Sequence, residues 1–389
     1  MSSKPSVTSA ALTPFGTTIF SEMSALAQAH AAINLGQGFP DFEGPDVIKD
    51  AAVQALLHGD NQYARSQGMP ALTEAISAKV HRQYGLKRDP VTEVGVFSGA
   101  TEALAAAVLG LVERGDEVIT FEPVYDSYLP LLSLVGAVPK IASLRWPDFA
   151  LDRAAFRALF SNKTKLVLLN TPHNPTGKVF GRDELQFIAQ CCDDYGVQVV
   201  TDEVYEHLTF GVEHVPLASL SGFEDRVLTI SSTGKTFSLT GWKIGYAHGP
   251  QPMVAAAQAA HQFLTFATAT PLQQAMVTAL ALPEDFYADF RAQYTARRAV
   301  LLASLSAVGL PVFEPQGTYF VLSHIGHLGF DGDRAFAQYL ARDVGVACIP
   351  VSPFYPTNRP ADKHLARFAF CKELNTLKEA GKRLLKLLD

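Results

Sequence analysis

Cysteine is scarce. The 389 residues contain four, Cys191, Cys192, Cys348 and Cys371, two of them adjacent and none in a Cys-x-x-Cys pair. That usage excludes a disulfide framework and a thiolate zinc site, and fits buried or idle thiols in a reducing compartment. Long apolar runs are also missing. The longest strongly apolar stretch, residues 103–112, is too short to cross a bilayer, and residues 1–16 hold no continuous apolar segment of the signal-peptide kind. A cationic excess is absent as well. Lys and Arg total 32 against 38 Asp and Glu, a net charge of −6, which argues against binding a nucleic-acid backbone. Charged residues are only 18% of the chain and hydrophobic ones 48%, so extensive disorder is excluded. A soluble, cytoplasmic protein is expected, with no membrane and no nucleic-acid partner.

Several familiar motifs are absent too. Gly234-Lys235-Thr236 follows a predicted strand, but a phosphate-binding P-loop needs a glycine where Thr229 stands. Gly36-Gln37-Gly38 follows no good strand, and Asp41 occupies the third glycine position of a dinucleotide fingerprint. There is no HExxH, GxSxG or EF-hand loop, and no metal is expected.

What is present is an alternation of helices and strands. The length exceeds what one hydrophobic core commonly fills, so two domains are expected. Residues 17–30 have helical spacing, and the Gly- and Pro-rich stretch 36–45 reads as an irregular connection. Helices are predicted over 70–84, 101–114 with Gly115 as the stop, and 182–195 ended by Gly196. Strands are predicted over 94–98, 117–121, 165–170, 197–201 and 227–231. After about residue 280 the pattern changes: a long helix over 286–308, strands at 312–313, 319–322, 346–349 and 366–370, and helices over 334–343 and 375–388. The alternation implies an α/β fold whose large domain is a mostly parallel sheet covered by helices on both faces, beside a smaller α+β domain. The expected division is an arm over 1–45 packing with the small domain, a large domain over 46–280, and the small domain over 281–389.

In open α/β sheets, ligands bind beyond the carboxyl ends of strands. The predicted strands are followed by Ser98-Gly99-Ala100-Thr101, Glu122-Pro123-Val124-Tyr125, Asn170 through Gly177, Asp202-Glu203-Val204-Tyr205, and Ser232-Thr233-Gly234-Lys235-Thr236. Each has an ordinary reading alone: a tight turn, a helix cap, a packed ring, a solvated lysine. Together they supply an anion cradle, an aromatic ring, an amide, a carboxylate with a tyrosine, and a lysine. That set suits a phosphorylated aromatic aldehyde.

With these residues assembled, the chain resembles the fold-type I pyridoxal-phosphate aminotransferases (class I/II), in the branch of kynurenine/glutamine transaminases and methionine aminotransferases. The stretches that carry the resemblance include NLGQGFPDFEGP, NQYARSQG, SGATEAL, GDEVITFEPVYDSY, LNTPHNPTGKVF, TDEVYEHL, SSTGKTFSLTGWKIGY, EPQGTYF, IPVSPFY and RFAFCKE, and the resemblance runs from about Gly16 to Leu388. The resemblance implies pyridoxal 5'-phosphate as cofactor and Lys235 as the Schiff-base and proton-transferring lysine. Asp202 would pair with the pyridine nitrogen, Asn174 and Tyr205 would bind the 3′ oxygen, and Tyr125 would stack on the ring. Ala100 and Thr101 N–H groups, Ser232 and Lys243 would hold the phosphate, joined by Tyr63 from a second subunit of a homodimer. Lys243 stands where many relatives have arginine. Arg367, helped by Gly38 N–H, would clamp the substrate α-carboxylate. Phe15 or Ile19, Tyr125, and Phe266 of the second subunit would form an apolar side-chain pocket. No match to the second arginine of dicarboxylate-specific relatives is found. The implied activity is transfer of the amino group of an apolar, aromatic or sulfur-containing amino acid, with methionine, phenylalanine, tyrosine, kynurenine and glutamine as the named donors, to a 2-oxo acid. The alternative is a cysteine-S-conjugate β-lyase built on the same site. A DNA-binding regulator is disfavoured, because only about 40 residues precede the large domain and the net charge is negative.

Overall fold

The structure is a computed structural model and describes residues 7–388, so the first six residues of the expected 1–45 arm lie outside it. Helix α1 (Ile19–Ala29) starts where the Thr18 hydroxyl accepts a hydrogen bond from Ser21 N–H, and it buries Ile19, Met23 and Ala27 at four-residue spacing. Strand β1 (Ile33–Asn34) follows. After the irregular Gly36–Pro45 connection come α2 (Asp46–His58) and α3 (Pro70–Tyr84). Proline at the first position opens α3, and Gly85 at φ +72° closes it in a left-handed cap that costs a glycine nothing.

The chain then builds one sheet. In order it makes β2 (Val94–Phe97), α4 (Ala100–Leu111), β3 (Glu117–Glu122), α5 (Tyr128–Val135), β4 (Val138–Ser143), α6 (Arg153–Arg157) and β5 (Thr164–Asn170). It continues with α7 (Arg182–Tyr195), β6 (Gln198–Asp202), β7 (Val227–Ser232), α8 (Thr233–Thr236) and β8 (Gly245–His248). The sheet order is β2-β8-β7-β6-β5-β3-β4, and all pairs are parallel except those made by β8. Successive side chains of one strand enter different cores. Val167 and Leu169 join one apolar cluster, Leu166 and Leu168 the other, as expected of a strand covered on both faces. Strand β4 carries Pro139 and Lys140 and lies at the sheet edge, where a missing N–H and a solvated charge are tolerated.

Helices α9 (Gln251–Leu264), α10 (Thr270–Leu280) and α11 (Glu284–Ala307) lead to the C-terminal third. There β9 (Val312–Phe313), β10 (Phe320–His324), α12 (Gly332–Tyr339), β11 (Val346–Ala347), β12 (Ile349–Pro350), β13 (Leu365–Ala369) and α13 (Leu374–Leu384) follow. β12, β13, β10 and β9 form an antiparallel sheet, while β11 pairs in parallel with β1. Residues 33–34 of the arm are thereby stitched to the C-terminal third.

Several elements differ from the sequence expectation. The helix expected to run to residue 114 stops at Leu111, because Val112 is extended and Asp116 captures the Glu113 N–H at 2.8 Å. The helix expected over 334–343 changes at Leu340 to a wider π turn that ends at Gly345. The strand expected over 346–349 splits, since Val346–Ala347 pairs with the arm and Ile349–Pro350 with β13.

Candidate active site

A cavity of about 270 Å³ opens beyond the carboxyl ends of β2, β3, β5, β6 and β7. Its lining includes Gly38, Ala100, Thr101, Tyr125, Asn174, Asp202, Tyr205, Ser232, Lys235, Lys243 and Arg367, so the structure brings these sequence-predicted residues together.

One end is cationic. Gly99 caps α4 at φ +84° with no side-chain bond to the helix N-terminus, which leaves the first N–H groups facing the cavity. Lys243 adopts the left-handed region at φ +53°. Its Cε and Nζ lie so near Gly99 that a Cβ there would come within 3.0 and 3.1 Å of them. Gly245 is equally constrained, since a Cβ would sit 2.5 Å from the Ala100 nitrogen. Gly245→Ala must therefore displace the start of α4. Overpacking of this kind costs about 1–3 kcal/mol. We expect at least about a tenfold weaker dissociation constant for pyridoxal phosphate in a fluorescence titration, and an unchanged constant would contradict the cradle.

The middle of the cavity holds the charge chemistry. Asp202, at the end of β6, is buried. It accepts hydrogen bonds from Tyr128 Oη at 2.6 Å and, more weakly, from Val204 N–H at 3.4 Å. Burial pushes its pKa up to about 6, against the opposing effects of these bonds and of the Lys235 charge. Lys235 Nζ donates to Tyr319 Oη at 2.9 Å, and Tyr319 Oη in turn donates to the Gly38 carbonyl. Burial, with Lys243 and Arg367 nearby, brings the Lys235 pKa down to about 8. At its ordinary value the neutral amine would be below about one part in a thousand at pH 7, whereas at about 8 it is roughly a tenth. Burial also raises the Tyr125 phenol to about 12, so it stays protonated. Asn174 N–H donates to Asn170 Oδ1, and Asn170 Nδ2 donates to the Asp202 carbonyl, which ties the β5 and β6 ends together.

At the far end is Arg367 of β13, 2% exposed. Its guanidinium donates to Asn174 Oδ1 at 3.0 Å and to the Gly36 carbonyl at 2.9 Å, and it lies 3.9 Å from the Phe320 ring centre. Among the described residues its Nε has no hydrogen-bond partner and no carboxylate forms an ion pair with it. A buried cation served only by neutral acceptors suits an incoming carboxylate. Gly38 is needed at its position because a Cβ would come within 2.7 Å of the Phe320 ring.

Four expected residues do not line the cavity. Ile19 points into the core with Met23, and Phe15 stands on the preceding loop, 37% exposed. On α1 it is Phe20 that reaches the cavity, about 100° further round the helix than Ile19, with its ring 5.0 Å from Arg367 Cζ. Tyr63 and Phe266 form an edge-to-face pair at 5.2 Å on the surface of this chain, 84% and 40% exposed. Thr270 links their segments by accepting from Ala64 N–H and donating to the Gln62 carbonyl. Sequence reasoning missed Tyr128, Tyr319, Asp126 and Phe20. Tyr128 and Tyr319 lie within quoted motif stretches, but only folding shows that their hydroxyls meet Asp202 and Lys235.

The residues fit pyridoxal phosphate. A cationic helix N-terminus faces the phosphate end, an aromatic ring and a buried carboxylate suit the pyridine, and a lysine of lowered pKa suits the aldehyde. The sequence profile of the family described as aminotransferase class I and II matches residues 31–384. The probable N-succinyldiaminopimelate aminotransferase DapC of Mycobacterium tuberculosis is 45% identical over 97% of this chain and 98% of its own. A solved structure of the M. tuberculosis N-succinyldiaminopimelate aminotransferase, 45% identical, superposes with a TM-score of 0.95 over 98% of this chain and 100% of its own. Methionine aminotransferase of Escherichia coli is 40% identical over the full length of both chains. An E. coli structure with methionine aminotransferase function gives a TM-score of 0.94 over 98% of this chain and 100% of its own. Kynurenine–oxoglutarate transaminase of Dictyostelium discoideum is 38% identical over 96% of this chain and 94% of its own. The expected methionine and kynurenine branch is thus represented, and an N-succinyldiaminopimelate relative is added to it.

Proposed function

The chain belongs to the class I and II aminotransferases, enzymes that use pyridoxal phosphate, and within that family we propose a narrower assignment. It takes the amino group from an L-amino acid with a neutral apolar, aromatic or sulfur-containing side chain and gives it to a 2-oxo acid. The observation that carries this reading is the wall beside Arg367, where Phe20, Phe39, Tyr125 and Phe320 line the cavity.

When bound, pyridoxal phosphate supplies an aldehyde that takes up the amino group and a ring that spreads the electron pair left at Cα. The protein's residues do the rest. The α4 N-terminus with Ala100 and Thr101, Ser232 and Lys243 hold the phosphate. Asp202 would keep a proton on the ring nitrogen. Tyr205 and the Asn174 amide, whose oxygen is already engaged by Arg367, would donate to the 3′ oxygen. Tyr125 would pack against the ring. Arg367 and the Gly38 N–H hold the α-carboxylate, which fixes Cα beside Lys235. Lys235 Nζ, in its neutral form, would take the proton from the substrate Cα and hold it as the ammonium for return. Tyr319 holds that amine in place through its hydroxyl.

The exposed aromatic surface of Tyr63, Phe263 and Phe266 is the face on which a second copy docks in this reading, with Tyr63 and Phe266 completing the partner's site. A donor panel tests substrate choice. Methionine, phenylalanine, tyrosine, kynurenine and glutamine are expected to exceed aspartate in kcat/KM by at least about tenfold, since one well-matched group is worth about 1–3 kcal/mol. Aspartate outperforming all of them would refute the assignment. Pyruvate release from a cysteine S-conjugate, without added 2-oxo acid, would reveal the β-lyase alternative in the same assay.

A further inference from the structure

Two carboxylates line the cavity, and only one of them has a role so far. Asp202 is tied to the Tyr128 hydroxyl. Asp126 directly follows Tyr125 on the turn between β3 and α5, is half-buried, and shares the cavity with Phe20, Gln37, Phe39 and Arg367. It accepts backbone N–H bonds from its own turn, and among the described residues it forms no ion pair. The guanidinium of Arg367 acts on it from a distance while making its own bonds to Asn174 and Gly36.

We infer that Asp126 sets the charge selectivity for the substrate side chain, disfavouring a ligand with a second carboxylate and favouring one whose side chain ends in a neutral N–H donor. The inference rests on the amino-transfer reading of this site. The cations of the cavity are already committed. Lys243 faces the α4 N-terminus, Lys235 donates to Tyr319, and Arg367 is taken by the α-carboxylate of any amino-acid or 2-oxo-acid substrate. Once that α-carboxylate is bound, the charge balancing Asp126 is neutralised. A second carboxylate on the same ligand then meets Asp126 without compensation, in surroundings where burial already disfavours negative charge. An amide or aryl amine of the same size meets a hydrogen-bond acceptor instead. Donor and acceptor use the same cavity in turn, so the preference extends to the 2-oxo acid.

Glutamine and glutamate test this directly, because they differ only by an amide in place of a carboxylate. Measured with one common 2-oxo acid, the holoenzyme is expected to prefer glutamine in kcat/KM by more than about tenfold. Asp126→Asn keeps size and one acceptor oxygen but removes the charge, and is expected to lower the glutamine/glutamate ratio at least about tenfold. Asp126→Ala should move it the same way. Titration of the holoenzyme with glutarate and its half-amide reads the same selectivity without turnover. A ratio unchanged in both variants, in an enzyme that transfers amino groups, overturns the inference alone. Failure of the parent to transfer from any donor overturns the amino-transfer reading, and this one with it.

Discussion

Lys235→Ala is expected to lower kcat/KM for every amino donor by about 10⁴-fold or more, with the fold intact. Positioned proton transfer is worth about 10²–10⁴-fold, and the lysine's covalent hold on the cofactor adds to it. No neighbour can replace it. Tyr205 and Tyr319 lie around the amine with their phenols pushed above their ordinary pKa by burial, so neither is a base near neutral pH. Lys243 is committed beside Gly99 at the start of α4. A readout independent of activity is available. After borohydride reduction and denaturation, the parent chain should retain the mass of the cofactor on the peptide containing Lys235, and the variant should retain none. Near-parental turnover in the variant would remove Lys235 from the centre of the mechanism.

Asp202→Asn is the second large effect, and it has opposite signs for catalysis and stability. Asparagine still accepts the Tyr128 hydrogen bond through Oδ1 but carries no charge to hold a proton on a ring nitrogen. Losing one preorganised electrostatic contact in a dry site costs on the order of 10²–10³ in rate. The cofactor-free protein should gain stability. Burial raises the Asp202 pKa from 3.8 to about 6. The folded state therefore binds the proton more tightly than the unfolded chain. Relative to the ionised form, that contribution is fully present below pH 3.8 and is lost as pH rises through about 6. At pH 7–8 the ionised, buried carboxylate costs about 3 kcal/mol. Thermal unfolding of the cofactor-free variant should thus exceed the parent's Tm at pH 8, and the gap should close towards pH 4. A lower Tm at pH 8 would show that Asp202 is stabilised by its surroundings.

Much of this site was legible because chemistry collects at strand ends. Ala100, Tyr125, Asn174, Asp202 and Lys235 each follow a short apolar run that reads as a buried strand, and the parallel topology brings those ends to one edge. The arm was less legible. Phe15, Ile19 and Phe20 are equally apolar, and choosing among them needs the rotation of α1 against β11 and β12, which no local pattern contains. Strand β8 was hidden for a similar reason. Gly245–His248 has no long apolar run and becomes a strand through its two antiparallel neighbours, β2 and β7. Tyr128 and Tyr319 look like core aromatics in sequence and are indeed almost fully buried. Their function lies in one hydroxyl each, which becomes visible only with the Asp202 and Lys235 atoms in place.

Amino transfer in two separable stages is the central claim, and a single-turnover measurement tests it most directly. Methionine mixed with the holoenzyme, without any 2-oxo acid, should yield about one equivalent of its 2-oxo acid per active site and then stop. Pyruvate added next should be converted to about one equivalent of alanine and restore the enzyme for another round. Continued release of 2-oxo acid and ammonia without an acceptor, or no product from methionine in either stage, would contradict the account.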